Sequence, residues 1–375
     1  MVPPSLYNSS SMIGLGLNDN LLKGMLPSDF GSTLPKLEMF YAANNTFTGP
    51  IPPSLANAAK ITAFEIQGNS ITRPIPNHFG SLANLRVLGL GDNPLGDNVH
   101  PNDWSFFNSL VNCTNLKALR LFNMGLRGEL PNSIVNLSTT MDELYLNENQ
   151  ISGSIPREIG KLVNLAILSL AYNNLTGSLP SSIGSLKHLV ILSLSYNKFT
   201  GDIPPTLGGC VMLEGLYLEG NLLQGSIPSS FEVLRSLAFV DMSNNNISGS
   251  IPSFFDEFHL IIFLDLSHNK FEGEVSKQGI FSNFSAFSII ENSELCGGIE
   301  ALHLPACPVK VLRNKKKAFV LRKILIPVLP LLAMLLACLA LILYRRQKSR
   351  KLNEPVPLME DNQYLKLSYQ DLLQA

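Results

Sequence analysis

Leu165 to Pro180 reads LAILSLAYNNLTGSLP, and its register recurs along the chain. Leu189 opens LVILSLSYNKFTGDIP, Leu213 opens LEGLYLEGNLLQGSIP, and Leu237 opens LAFVDMSNNNISGSIP. The shared template is LxxLxLxxNxLxGxIP. Its Asn falls at Asn20, Asn45, Asn69, Asn93, Asn149, Asn173, Asn197, Asn221, Asn245 and Asn269, and Met124 takes the slot once. Successive steps are 25, 24, 24, 31 and 25 residues, then 24 five times. An amphipathic helix repeats every 3.6 residues and cannot produce this spacing. Eleven copies in register define a repeat array.

Each template residue has a physical task. The two Leu of LxL point the same way from a short strand, into a core, and the residue between them points out. One repeat cannot bury its Leu face alone, so repeats stack and their strands form a parallel sheet on the concave side. The Asn turns inward, where its amide both donates and accepts and can satisfy backbone groups at the bend. The Gly permits a turn with positive φ. An Ile-Pro pair such as Ile203-Pro204 then ends local hydrogen bonding. The expected fold is an α/β-type repeat solenoid, a superhelix with a concave parallel β-sheet, followed by a single transmembrane helix.

The chain has 375 residues and a net charge of −1, so no overall field points to nucleic acid. Charged residues make up 15%, below the ~25% usual in soluble domains. A membrane segment and an Asn, Ser and Gly surface both contribute. Five cysteines are too few for a disulfide-stapled fold. Cys113 and Cys210 each sit just before a repeat's Leu and are expected as buried thiols.

No catalytic constellation is found, and no cofactor is implied. Asp29-Phe30-Gly31 spells a kinase magnesium motif but lies in the return loop of the first repeat. Gly89-Leu90-Gly91 begins like a nucleotide loop, but Pro94 takes the third Gly position. The His residues at 78, 100, 188, 259, 268 and 303 show no metal spacing.

The motifs resemble one family closely. The GxIP ending is typical of plant extracellular leucine-rich repeats. The long step contains DNVHPNDWSFFNSLVNCTNL, residues 97–116, and the array ends in NSELCGGIEALHLPACP. Both are similar to segments of plant leucine-rich-repeat receptor-like serine/threonine kinases, in the subfamily that includes pattern-recognition immune receptors. The resemblance implies repeats over 1–290 and a C-terminal cap over 291–309. A basic linker at 310–323, a membrane helix at 324–344 and a cytoplasmic tail at 345–375 would follow.

Cys296 and Cys307 flank GGIEALHLPA directly after the last repeat. In an oxidising compartment they would form a disulfide, and in a reducing one they would be free thiols. Residues 324–344, ILIPVLPLLAMLLACLALILY, carry no charge over a length that spans ~30 Å of hydrocarbon. Basic residues flank both ends and leave the orientation open. The sequons at Asn8, Asn44, Asn112, Asn136, Asn174, Asn246 and Asn283 all precede the span. They favour extracellular repeats and a single pass through the plasma membrane. The opening MVPPSLYNSS matches the tail of a preceding repeat and has no signal-peptide pattern. The closing KLSYQDLLQA is similar to the segment that introduces the kinase domain in this family. The expectation is therefore a receptor truncated at the N-terminus and lacking its kinase.

Function is expected on the concave face. Its outward residues include Arg120, Phe122, Tyr145, Tyr217 and Glu219 as ligand-binding candidates, since exposed aromatics and Arg make good anchors. The family implies an extracellular peptide or protein ligand, for defence or developmental signalling, and a co-receptor kinase. Asp265 and His268 are the candidate co-receptor contacts. The alternatives are a kinase-less receptor-like or decoy protein, or a non-functional gene fragment. The lipid bilayer is the remaining partner, and no metal site is expected.

Overall fold

The computed structural model describes residues 1–72, 75–96, 103–308 and 330–347. It divides into two units, Met1–Cys307 and Pro308–Ala375. In the first, twelve short strands form one parallel sheet. They are β1 (Gly14–Gly16), β2 (Met39–Tyr41), β3 (Ala63–Glu65), β4 (Val87–Gly89), β5 (Ala118–Arg120) and β6 (Glu143–Tyr145). Then come β7 (Ile167–Ser169), β8 (Ile191–Ser193), β9 (Gly215–Tyr217), β10 (Phe239–Asp241), β11 (Phe263–Asp265) and β12 (Phe287–Ser288). Each pairs with the next in chain order, with equivalent template residues side by side, as in Leu168 with Leu192 and Leu192 with Leu216.

The template Leu residues form the core. Leu168, Leu192, Leu216, Val240 and Leu264 lie in line and are fully buried. A Leu side chain removed from water contributes about 1.5–3 kcal/mol, and stacking extends that gain with every repeat. Phe30, Phe40 and Phe64 thicken the core of the first repeats, with ring centroids 4.9 Å apart for Phe30–Phe40 and 5.5 Å for Phe40–Phe64. Asp29-Phe30-Gly31 is thereby a packing element. Phe30 is in the core, and Gly31 lies so close to the Ser54 carbonyl that any Cβ would overlap it.

The inward Asn residues form a continuous ladder. Asn221 shows the pattern: its Nδ2 donates to the carbonyls of Leu194 (3.0 Å), Leu218 (3.0 Å) and Glu219 (3.3 Å). Its Oδ1 accepts from the Phe199 N–H at 3.0 Å. One amide thus serves two repeats and four backbone groups. At the Met124 slot Asn149 covers the gap, accepting from both Met124 N and Leu126 N. The ladder also runs one position beyond the sequence reading. Asn292 donates to Leu266, Ile289 and Ile290 and accepts from Phe271 N at 2.9 Å. The residue range read as cap therefore begins with a twelfth repeat. One extra residue between Asn292 and Leu295 hides it from the template.

After most of the ladder Asn residues the chain forms a second strand on the flank, and the template Gly turns it with positive φ, as at Gly201 (φ 78°). Lys198–Asp202, Leu222–Gly225, Asn246–Gly249 and Lys270–Val275 pair in this way. The backbone N–H just after the ladder Asn makes the link, as in Lys198 N to Leu175 O at 2.8 Å. Pro94 occupies that position in the fourth repeat and has no N–H, and the flanking sheet is interrupted there. Pro-initiated 3-10 turns such as Pro205–Gly209 close the return path.

At the C-terminal edge, Glu294–Gly297 pairs with Lys270–Val275, and Cys296 is bonded to Cys307 with Cα atoms 4.9 Å apart. Cys113 and Cys210 are buried free thiols. In the second unit, Pro330–Gln347 is a helix long and apolar enough to cross a membrane. At 1.5 Å per residue its 18 residues reach about 27 Å. Residues 324–329 of the expected span, the linker at 310–323 and the tail from 348 lie outside the described residues.

Candidate ligand-binding face

The outward face of the twelve-stranded sheet carries its side chains in columns set by the period of two. The structure sorts the candidate residues into two clusters. Arg120 and Tyr145 are register partners on β5 and β6, and Phe122 follows Arg120 on the same face. Tyr217 lies on β9, three strand spacings or roughly 14 Å from Tyr145, with Ser169 and Ser193 between. It belongs with Glu219, Asp241 and Asp265.

Arg120 is a clamped side chain. Nη1 meets Glu65 at 2.9 Å, Nη2 meets Glu143 at 2.8 Å, and Nε donates to Glu143 at 3.1 Å. Burial alone would lower the Arg120 pKa, but Glu143 and Glu65 more than offset it, and the net shift is upward. Tyr145 beside them has its hydroxyl pKa raised, first by burial and then by Glu143. Gln67 completes the group by donating to Glu65 at 2.9 Å.

Glycines shape this face. Gly89 lies between Glu65 and Arg120, where a Cβ would run into Gln67 and Glu65. The Phe122 ring lies over Gly91, and the Tyr217 ring over Gly215. Gly89 and Gly91 thus seat side chains, which is what their nucleotide-loop resemblance amounts to.

The second cluster is acidic. Glu219 has a raised pKa, first because it is buried and then because Asp241 and Asp265 stand near. Asp241 is raised by burial, which outweighs the Ser243 N–H it accepts at 3.0 Å, with Asp265 adding to the rise. Tyr217 follows, raised by burial, Glu219 and Asp241. Asp265 accepts from Ser267 N at 2.8 Å, and His268 is exposed with a left-handed backbone (φ 53°).

Two sets of outward residues escaped the sequence reading. Phe239 and Phe263 are exposed register partners at the start of β10 and β11, continued by Ile262 and Leu260. Tyr172 and Tyr196 precede their ladder Asn in adjacent repeats, and their rings stack 4.6 Å apart. The signal was present in the template, since the positions flanking LxL also face outward.

The sequons lie on accessible chain. Asn8, Asn112 and Asn136 end 3-10 turns, and Asn174 and Asn246 follow ladder residues. Asn44 donates to Asp19 at 2.7 Å, and Asn283 accepts from its own sequon hydroxyl, Ser285, at 2.8 Å. All are exposed except Asn174, which is half-buried and accepts from Lys198 at 3.0 Å. Among the described residues no group of His, Cys, Asp and Glu is arranged to hold a metal ion.

Comparison with known proteins agrees with this geometry. Leucine rich repeat models match residues 164–223, 140–162 and 236–258. The LRR receptor-like serine/threonine-protein kinase EFR of Arabidopsis thaliana is 48% identical over 89 residues, 24% of this chain and 8% of that protein. The chain therefore spans a small part of that relative's length. The solved plant peptide hormone receptor RGFR1, in complex with RGF2, aligns with a TM-score of 0.68 at 33% identity, over 79% of this chain and 46% of that one. The Arabidopsis receptor kinase HAESA, solved with the peptide hormone IDA and the co-receptor SERK1, aligns at 0.51 and 26% identity, over 80% and 64%. The chain thus carries leucine rich repeats and is similar, over the part it matches, to plant LRR receptor-like serine/threonine kinases and their solved ectodomains.

Proposed function

We propose that this chain is the ectodomain and anchor of a plant cell-surface receptor, binding an extracellular peptide or protein ligand on its concave face. The observation that carries this reading is the rigid parallel sheet with its aromatic and charged side chains seated over glycines. Such a surface is preorganised, so little side-chain entropy is lost on binding. An extended peptide crossing the strands would meet the Arg120, Phe122 and Tyr145 cluster and then Tyr217 and Glu219. The solved ectodomains with peptide hormones support the ligand class.

A co-receptor kinase would dock at the C-terminal repeats, at Asp265 and His268. The exposed Phe239, Phe263 and Ile262 would supply the buried centre of that contact. The helix would place the protein in the plasma membrane with the seven sequons outside, and the signal would be defensive or developmental.

The test is expression of the full chain in plant cells. Glycosidase treatment should shift its mass, and the repeats of intact cells should be open to added protease. Unshifted repeats that resist protease until the cells are lysed would end the surface-receptor reading.

A further inference from the structure

Tyr172 and Tyr196 fill a slot that most other repeats give to residues suited to a left-handed backbone. Their φ values are 54° and 50°. Asp19, Asn44, Asp92, Asn123 and Asn244 hold the slot elsewhere, with Gly68 and Gly220 in two more repeats and Glu148, His268 and Glu291 in the remaining three. Asn and Asp tolerate this conformation through local hydrogen bonds, and Gly has no Cβ to clash, whereas Tyr gains neither advantage. The two rings are 52% and 45% exposed, so burial does not compensate for the placement. They stack in parallel, with 16° between their planes. Gly220 continues the row, and any Cβ there would meet the Tyr196 ring. The row thus presents two stacked rings, the second seated against Gly220.

The surroundings specify charge. Glu148 precedes Tyr172 in the row, and Glu219 adjoins Gly220. The Tyr172 hydroxyl pKa is raised, first by burial and then by Tyr196, Glu219 and Glu148, which places these carboxylates within electrostatic range of the rings. From β7 to β11 the outward residues include Glu219, Asp241 and Asp265 but neither Lys nor Arg. A flat aromatic surface beside uncompensated carboxylates suits a cation that is itself flat. Guanidinium stacks on aromatic faces and sheds water more readily than ammonium.

We propose that Tyr172, Tyr196 and Glu219 form a subsite for an arginine side chain of the peptide ligand. The proposal rests on the peptide-binding reading of the concave face and names one residue type that the peptide must carry.

The experiment pans a random peptide library, displayed on phage, against the full chain in lipid nanodiscs. Selected peptides should be enriched in arginine. Replacing that arginine by Ala should weaken binding about tenfold, and replacing it by Lys less. The paired substitution Tyr172→Asn and Tyr196→Asn should abolish the arginine preference. Asn holds the same slot in three other repeats, so thermal unfolding should stay close to that of the parent. Tyr→Phe at both positions should keep the preference, and Glu219→Gln should weaken it. Peptides that bind without depending on arginine, or with a dependence untouched by the Asn pair, would overturn the subsite and leave the receptor reading standing. A library yielding no binder at all would overturn the peptide-binding reading and the subsite with it.

Discussion

Arg120 and Glu65 meet at 2.9 Å although a whole strand lies between them. That strand presents Gly89 at the crossing point, and the guanidinium passes over it. The contact joins residues 55 positions apart. Glu143 holds the other edge of the guanidinium.

Removing the clamp should leave two half-buried carboxylates without their cation. Arg120→Met should cost about 1–3 kcal/mol in urea unfolding. Adding Glu65→Gln and Glu143→Gln should recover part of the loss. If the triple variant is as unstable as Arg120→Met alone, the loss comes from packing of the Arg stem and not from stranded charge.

The Asn ladder should be unequal along its length. Asn221→Ala removes an amide serving four backbone groups in two repeats, at a cost of about 2–4 kcal/mol. The Phe199 amide, left without its acceptor, should lose hydrogen-exchange protection. Asn20 is exposed, and its side chain donates only within its own repeat, to Leu17 and Asn18. Asn20→Ala should cost under about 1 kcal/mol. Equal costs at the two sites would mean that the bonds between repeats add nothing.

Acidity should favour the C-terminal half of the concave face. Burial raises the pKa of both Glu219 and Asp241, so the folded chain holds these protons more tightly than the unfolded one. Their contribution to stability is present below the unfolded carboxylate range and is lost as pH rises through the folded values. Glu219→Gln with Asp241→Asn should therefore raise the melting temperature at neutral pH and leave it unchanged in acid. A difference between parent and variant that does not vary with pH would contradict the assignment.

The two core thiols should be silent. Burial pushes Cys113 and Cys210 up to about 11, and their Sγ atoms lie 3.3 Å from the carbonyls of Phe79 and Ile183. Iodoacetamide at pH 8, an experimental setting roughly half a unit below the ordinary thiol range, should leave both unmodified until denaturant is added. Peptide mapping would show it. Because both values are raised, the thiols weaken the fold progressively as pH climbs from the ordinary thiol range to about 11.

Much of this architecture is local and so can be read along the chain. The LxL alternation decides which side chains enter the core, the Asn every 24 residues decides where the bend is pinned, and the Gly decides where the flank turns. These choices depend on strand period and on hydrogen bonds between equivalent positions, which stacking repeats satisfy in one way. Asn292 escaped because a single extra residue before Leu295 broke the template while leaving the ladder bond to Phe271 intact.

The chemistry of the concave face was decided elsewhere. Arg120, Phe122, Tyr145 and Tyr217 are legible as outward residues, yet no pattern along the chain shows that Glu65 and Glu143 clamp the first of them, or that Tyr172 finds Tyr196. Those pairings run across strands, between residues 23 to 55 positions apart. They depend on which repeat places a glycine where a neighbour needs room. The period determined the sheet, and only the stacking of unlike repeats determined what the sheet presents, because side-chain contacts are made across the array while the template repeats along it.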